Sequence, residues 1–240
     1  MQLNPELLLP LSSRLEKKIN ILIVDDYPLI RNSLTAMFSS PLFNTYIASS
    51  AREARTIIPA VPVWHGWILD IAMEEEESGL NLLADHAPYP FTIMLSGIRS
   101  MHTASRAMEL GAYKVFDKDP AMLMRMYDEV CSMAALAYIL KGSPTKYFTL
   151  FEILSRDILK SADEWAQKAF LTTRQLERIA SLHFEMTPRF ILALFYSVRY
   201  LLFQDCTTAG TADRQSEKDI DILRHHIDFV NRNISRFFPN

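Results

Sequence analysis

Three acidic residues, Asp25, Asp26 and Asp70, stand directly after short apolar runs; Ser96 and Lys118 stand at the ends of two later ones. Clustered carboxylates repel one another, and a hard divalent cation that takes oxygen ligands relieves the repulsion. Magnesium suits phosphoryl chemistry in particular, because it neutralises charge on the transferring oxygens. A serine hydroxyl can donate to a phosphoryl oxygen, and a lysine ammonium supplies a fixed positive charge. A carboxylate nucleophile, an acid pair for a metal, a hydroxyl and an ammonium together form a coherent phosphoryl-accepting set. Taken singly, each has an ordinary structural reading: a polar turn, a helix cap, turn chemistry at Ser96-Gly97, a solvated lysine. Their ordered placement carries the case.

That placement depends on the elements. Residues 19–24, Ile-Asn-Ile-Leu-Ile-Val, form a run dominated by β-branched residues, suited to a strand covered on both faces. Leu29, Ile30, Leu34, Met37 and Phe38 follow at helical spacing. Strands are then expected over 45–48, 66–70, 91–95 and 113–116, and helices over 51–58, 79–85, 101–110 and from Ala121 onward. Strands alternating with helices in this way indicate an α/β, doubly wound, five-stranded parallel sheet. Ligands of such sheets bind beyond the carboxyl ends of the strands. The acidic residues, Ser96 and Lys118 fall at the ends of the first, third, fourth and fifth.

Residues Ile21 to Arg31 (Ile-Leu-Ile-Val-Asp-Asp-Tyr-Pro-Leu-Ile-Arg), Trp67-Ile-Leu-Asp70, Ile93-Met-Leu-Ser-Gly97 and Gly111-Ala-Tyr-Lys-Val-Phe-Asp-Lys118 resemble, in order and spacing, the motifs of response-regulator receiver domains. The resemblance covers roughly residues 19–135. It implies a flavodoxin-like receiver fold, phosphorylation of Asp70 by a sensor histidine kinase or phosphotransfer protein, and a Mg2+ cofactor. Asp25, Asp26 and Asp70, with the backbone carbonyl of Ala72, would hold the metal; Ser96 and Lys118 would contact the phosphoryl group. Three positions depart from the family. The loop after Asp70 carries Glu74–Glu77 and brings Gly79 one position late, so one residue is inserted; the four glutamates are read as a solvated acidic face, the alternative being that they disfavour an incoming anion beside the phosphoryl site. Val115 stands where an aromatic or histidine is usual. Asp119 separates Lys118 from Pro120.

After Met133 the strand signal stops. Helices are expected over 148–159, 162–168, 173–182, 188–203 and 220–238, with a polar loop over 207–215. Ala166 and Ala169 are small enough for a close helix crossing, and Thr172 or Thr173 can cap the helix that follows. That helix carries Arg174, Gln175 and Arg178 near its start, as a helix-turn-helix reader does; arginine pairs with guanine and glutamine with adenine. Thr172-Thr-Arg-Gln-Leu-Glu-Arg-Ile179 with Met186-Thr-Pro-Arg189 resembles one helix-turn-helix unit of AraC-type transcription regulators. Glu185 replaces the family's usual glycine, Ala180 replaces a bulky aromatic, and residues 204–240 do not resemble the second unit that this family carries. Residues 145–205 hold eight Lys/Arg against seven Asp/Glu, so charge does not decide between DNA and a protein partner.

The parse is a leader at 1–18, a receiver domain at 19–140, a linker at 141–147 and a helical output domain at 148–240, with the candidate helix-turn-helix at 162–203. With 240 residues and a net charge of −3, the composition is globular and offers no global basic surface. Leu7–Leu9 is too short a run for a secretory signal, and no stretch reaches the ~18 apolar residues of a membrane span. Cys131 and Cys206 lie far apart, which suits a reducing compartment. The expected setting is the cytoplasm. No catalytic constellation is evident in 141–240, so an enzymatic output is not expected. A transcription regulator that dimerises when phosphorylated is the leading reading; a signalling adaptor whose helical domain binds a protein is the alternative.

Overall fold

The computed structural model describes residues 5–15, 19–73, 78–86, 91–97, 100–140, 148–156, 158–204 and 217–237. The proposed linker at 141–147, the glutamates at 74–77 and the polar loop at 207–215 lie outside them. The chain divides into two compact units, Glu16–Pro144 and Met1–Leu15 with Thr145–Asn240.

In the first unit the β-branched run becomes β1 (Ile19–Val24), followed by α2 (Pro28–Met37), α1 being the short helix Leu9–Leu15 of the other unit. Then come β2 (Phe43–Ala48), α3 (Ala51–Ile57), β3 (Gly66–Asp70), α4 (Ser78–Asp85), β4 (Thr92–Ser96), α5 (Met101–Glu109), β5 (Lys114–Asp117) and α6 (Pro120–Ile139). All neighbouring strands are parallel, in the order β2-β1-β3-β4-β5. The strands are as expected, except that β2 begins two residues early and β4 and β5 sit one residue later. The shift makes Ser96 the last residue of β4. One face of the sheet, with Leu22, Val24, Trp67, Leu69 and Met94, is covered by α3, α4 and α5. The other is covered by α2 and α6, where the rings of Phe38 and Tyr127 lie 5.1 Å apart. Burial on both faces explains why β1 and β3 read as continuous apolar runs and not as alternation.

At the end of the sheet away from the acidic residues, His65 is buried and its Nδ1 accepts a hydrogen bond from the Asn20 backbone N–H (3.0 Å). An imidazolium would place a proton on that nitrogen and lose the bond. Burial lowers the His65 pKa from 6.5 to about 4. The unfolded chain therefore takes up a proton before the folded one does, and stability held above pH 6.5 is lost as pH falls toward 4. At about pH 5 the loss is on the order of 2 kcal/mol. His65→Gln keeps an acceptor for Asn20 without the titration. Amide exchange of β1 and β3, compared between wild type and variant at each pH, should show the wild type losing about that much relative to the variant between about pH 7.5 and 5. Parallel pH profiles would remove His65 as the cause.

The second unit contains α7 (Phe148–Arg156), α8 (Ala162–Lys168), α9 (Thr173–Phe184), α10 (Pro188–Gln204) and α11 (Glu217–Phe237). Phe151 is its hub, with ring centroids 5.4 Å from Trp165 and 4.8 Å from Phe184. The segment between α7 and α8 is fastened by two buried side chains. Leu159 N–H donates to Tyr196 Oη (2.9 Å), and Leu159 O lies 3.0 Å from His226 Nε2. The segment expected to be a leader belongs to this unit instead. Pro5–Leu8 forms a 3-10 helix that runs into α1; Leu8, Leu11 and Leu15 are buried, and Asn231 Nδ2 donates to Leu7 O (2.6 Å). Burial of three leucines is the reason: each contributes roughly 1.5–3 kcal/mol when removed from water.

Candidate functional site

Strand register gathers the chemically able residues at one edge. Val24 pairs with Leu69, so Asp25 and Asp70 emerge side by side. Asp70 pairs with Leu95, and Ser96 with Asp117, which sets Ser96 and Lys118 one step further along. Backbone hydrogen bonds continue past the strands: Asp25 N–H to Ala48 O (3.2 Å), Ile71 N–H to Leu95 O (2.9 Å) and Lys118 N–H to Ser96 O (2.8 Å).

The carboxylates of Asp25, Asp26 and Asp70 lie within 4.8 Å of one another. Asp25 and Asp70 are buried, and Asp26 is half-buried. Lys118 Nζ reaches between the buried two, 2.6 Å from Asp70 Oδ2 and 2.8 Å from Asp25 Oδ2. Asp25 Oδ1 accepts from Tyr27 N–H (2.9 Å), whereas Asp25 Oδ2, though close to the ammonium, has no aligned hydrogen-bond donor among the described residues. Asp70 Oδ1 accepts from Ala72 N–H (3.3 Å). Three carboxylates and one buried oxygen short of a donor are what a hard, oxygen-seeking cation such as magnesium requires, so the donor set fits that metal. Burial pushes the Asp70 carboxyl up to about 6, with the charge of Asp25 adding to the rise and Lys118 opposing it. Burial alone would lower the Lys118 pKa; its hydrogen bond to Asp70 and the charges of the Asp25 and Asp70 carboxylates raise it instead. Both shifts describe one compact cluster in which a single ammonium offsets more than one carboxylate.

Two supporting features escape a reading of residue types. Arg31, on α2, donates from Nη1 to the Asp25 backbone oxygen (2.6 Å) and so braces the first acid. Gly79, at the start of α4, donates its N–H to Ile71 O (3.1 Å), and Ser78 Oγ accepts from Met73 N–H (3.3 Å). These bonds fold the chain after Asp70 back upon itself. The one sequence signal was the late glycine. Val115 is half-buried against the core of the α3–α5 face.

In the helical unit, α8, a short turn and α9 follow one another as expected, and Thr173 Oγ1 donates to Asp163 Oδ1 (2.7 Å) across the turn. Thr172 caps α9 in a reciprocal box with Gln175, whose Oε1 accepts from the Thr172 backbone N–H (2.8 Å) and from Thr172 Oγ1 (2.9 Å). The expected adenine contact by Gln175 would need that same oxygen, which here serves the cap. Arg174 and Arg178 are exposed. Phe170 in the turn and Glu185 after α9 both take left-handed backbone angles, φ 56° and 53°, which cost non-glycine residues roughly 1–2 kcal/mol each.

Residues 21–128 match the family model of the response regulator receiver domain. The matching stretch is 36% identical over 104 residues to an NtrX-like response regulator of Rickettsia bellii, covering 42% of this chain and 22% of that protein. It is 33% identical over 105 residues to the NtrX-like protein of Rickettsia felis, again covering 42% and 22%. The chain spans about a fifth of the length of the curated relatives it matches, 22% in each case. Similar solved structures include a response regulator receiver domain protein from Clostridium thermocellum (TM-score 0.46, 22% identity, 51% of this chain and 98% of that one). Another is the receiver domain of the Francisella response regulator 1452 (TM-score 0.43, 18% identity, 50% and 98%). Residues 21–128 thus carry the similarity to the response regulator receiver domain. Among the described residues no helix is long and apolar enough to cross a membrane.

Proposed function

We propose that the chain is a phosphorelay response regulator, phosphorylated on Asp70, whose helical unit binds DNA through α9. The observation that carries the first half is the placement of Lys118 Nζ 2.6 Å from Asp70 Oδ2 within a cluster of three carboxylates. The phosphoryl donor is a phosphohistidine of a sensor kinase or phosphotransfer protein. The bond from Asp70 oxygen to phosphorus forms as the P–N bond breaks, and the electron pair leaves with the imidazole nitrogen. Asp25, Asp26, Asp70 and the Ala72 carbonyl would hold magnesium, which supplies neutralising charge to the phosphoryl oxygens. Lys118 then exchanges its contact with a carboxylate for one with the phosphoryl group, and Ser96, at the end of β4, donates its hydroxyl. With Val115 in place of an aromatic ring, the response passes through the backbone at the ends of β4 and β5 to α5 and α6 and alters self-association.

For the second half, the support is the capped α9 with Arg174 and Arg178 exposed near its start, next to a helix that it is tied to across a four-residue turn. Arg174→Ala should lower affinity for a sequence selected from random DNA by about tenfold and relax preference at one position. Binding should also weaken steeply with added salt. The adaptor reading is favoured by Phe170, 97% exposed, since an uncovered aromatic ring suits a protein contact. Absence of any enriched DNA sequence for the phosphorylated protein would leave the adaptor standing.

A further inference from the structure

The chain passes between the two units twice. Residues 5–15 belong to the helical unit; the chain then enters the first unit at β1 and returns between α6 and α7. The first unit is thus an insertion between α1 and α7 of the second. Leu8, Leu11 and Leu15 follow at steps of three and four and so share one helix face. All three are buried, whereas Leu9, off that face, is 63% exposed. The segment packs on α10 and α11. Asn231 of α11 donates to Leu7 O, a carbonyl to which Pro10, three residues on, has no N–H to offer. A helix as short as α1 does not persist alone in water, so its order comes from this packing.

We propose that residues 5–15 are a strap that ties the helical unit to the first unit by a second route, independent of the covalent connection through 141–147. The strap is anchored at both ends. Its leucines hold it to α10 and α11, and beyond Leu15 only residues 16–18 separate it from Ile19, the start of β1. That strand is paired on both sides, with β2 and with β3, so it cannot yield without opening the sheet. A connection of three residues extends by only about 3.5 Å per residue, which leaves little slack. Movement in 141–147 alone therefore does not free the helical unit. Any output that works by parting the two units also requires the strap to leave α10 and α11. This holds whether the partner of the helical unit is DNA or a protein.

The test uses the full chain with a protease recognition sequence, flanked by glycine and serine, placed within residues 141–147. Once that connection is cut, strap docking loses the effective concentration that an intramolecular link provides and becomes an ordinary two-piece equilibrium. After complete cleavage under native conditions, the two pieces should still elute as one species on size exclusion. A synthetic peptide of residues 1–18, added in large excess and left to equilibrate, should abolish that species, because it fills the same site without being attached to the first unit. Leu11→Asp in the full chain should give two species after the same cut, with no peptide present. The peptide arm needs no variant, so it decides the matter if Leu11→Asp does not fold. Pieces that part on cleavage alone overturn the strap. Pieces that stay together under excess peptide, or in a folded Leu11→Asp chain, overturn it as well, since another contact then joins them.

Discussion

Gly79→Ala should lower the rate of phosphoryl uptake by about a hundredfold or more, on the scale that an ångström of misplacement costs. A Cβ at this position would lie 1.8 Å from the carbonyl oxygen of Asp70, 2.8 Å from its carbonyl carbon and 3.1 Å from Ile71 Cα. All three are backbone atoms, so no side chain can swing away to make room. Relief requires the start of α4 to lift off the chain that follows Asp70, breaking the bond from Gly79 N–H to Ile71 O. The carboxylate would then move relative to Lys118 and Asp25. Overpacking of this kind also costs roughly 1–3 kcal/mol of stability. Gly97→Ala is the control, because a Cβ there meets nothing within 4 Å. Uptake by Gly79→Ala at the wild-type rate, measured with acetyl phosphate, would mean that α4 does not position the acceptor.

Lys118→Met should destabilise the metal-free receiver by about 3–5 kcal/mol at neutral pH, the usual result of stripping the partner from buried charges. Asp25 and Asp70 are 0% and 2% exposed, and the ammonium lies within 2.8 Å of both. Asp70 already titrates near 6 with Lys118 present. Removing the positive charge raises its folded-state pKa further above that of the unfolded chain. A carboxyl with a raised folded pKa gains stability as pH falls, so the variant should recover and the gap to wild type should narrow on acidification. Urea unfolding across pH measures this directly. Equal gaps at pH 7.5 and 5 would show that the cluster is not held in its charged form by Lys118.

Much of this site was legible because the chemistry coincides with punctuation. Asp25, Asp70, Ser96 and Lys118 each follow an apolar run, and a parallel register converts four strand ends into one neighbourhood. The sheet itself was legible for the same reason, since runs buried on both faces announce themselves without a partner being known. Long-range pairing was not. Nothing local distinguishes residues 5–15 from a leader; only helices far along the chain, α10 and α11, give the segment something to pack on. At Gln175 residue type permits both base recognition and capping, and the capping bonds with Thr172 depend on where that residue turns its hydroxyl. Gly79 was noticed as an offset in spacing, whereas its role lies in a backbone approach that residue types do not encode. Glu185 and Phe170 occupy left-handed positions without the glycine that usually signals them.

Asp70 is expected to accept the phosphoryl group. Intact-mass measurement of the full chain after incubation with acetyl phosphate and magnesium, with the acyl phosphate trapped by reduction and located by fragmentation, tests it most directly. One phosphoryl group per chain is expected, on Asp70, with none on an Asp70→Asn variant that remains folded. Full labelling of Asp70→Asn, or a single label located at Asp25 or Asp26, would contradict it.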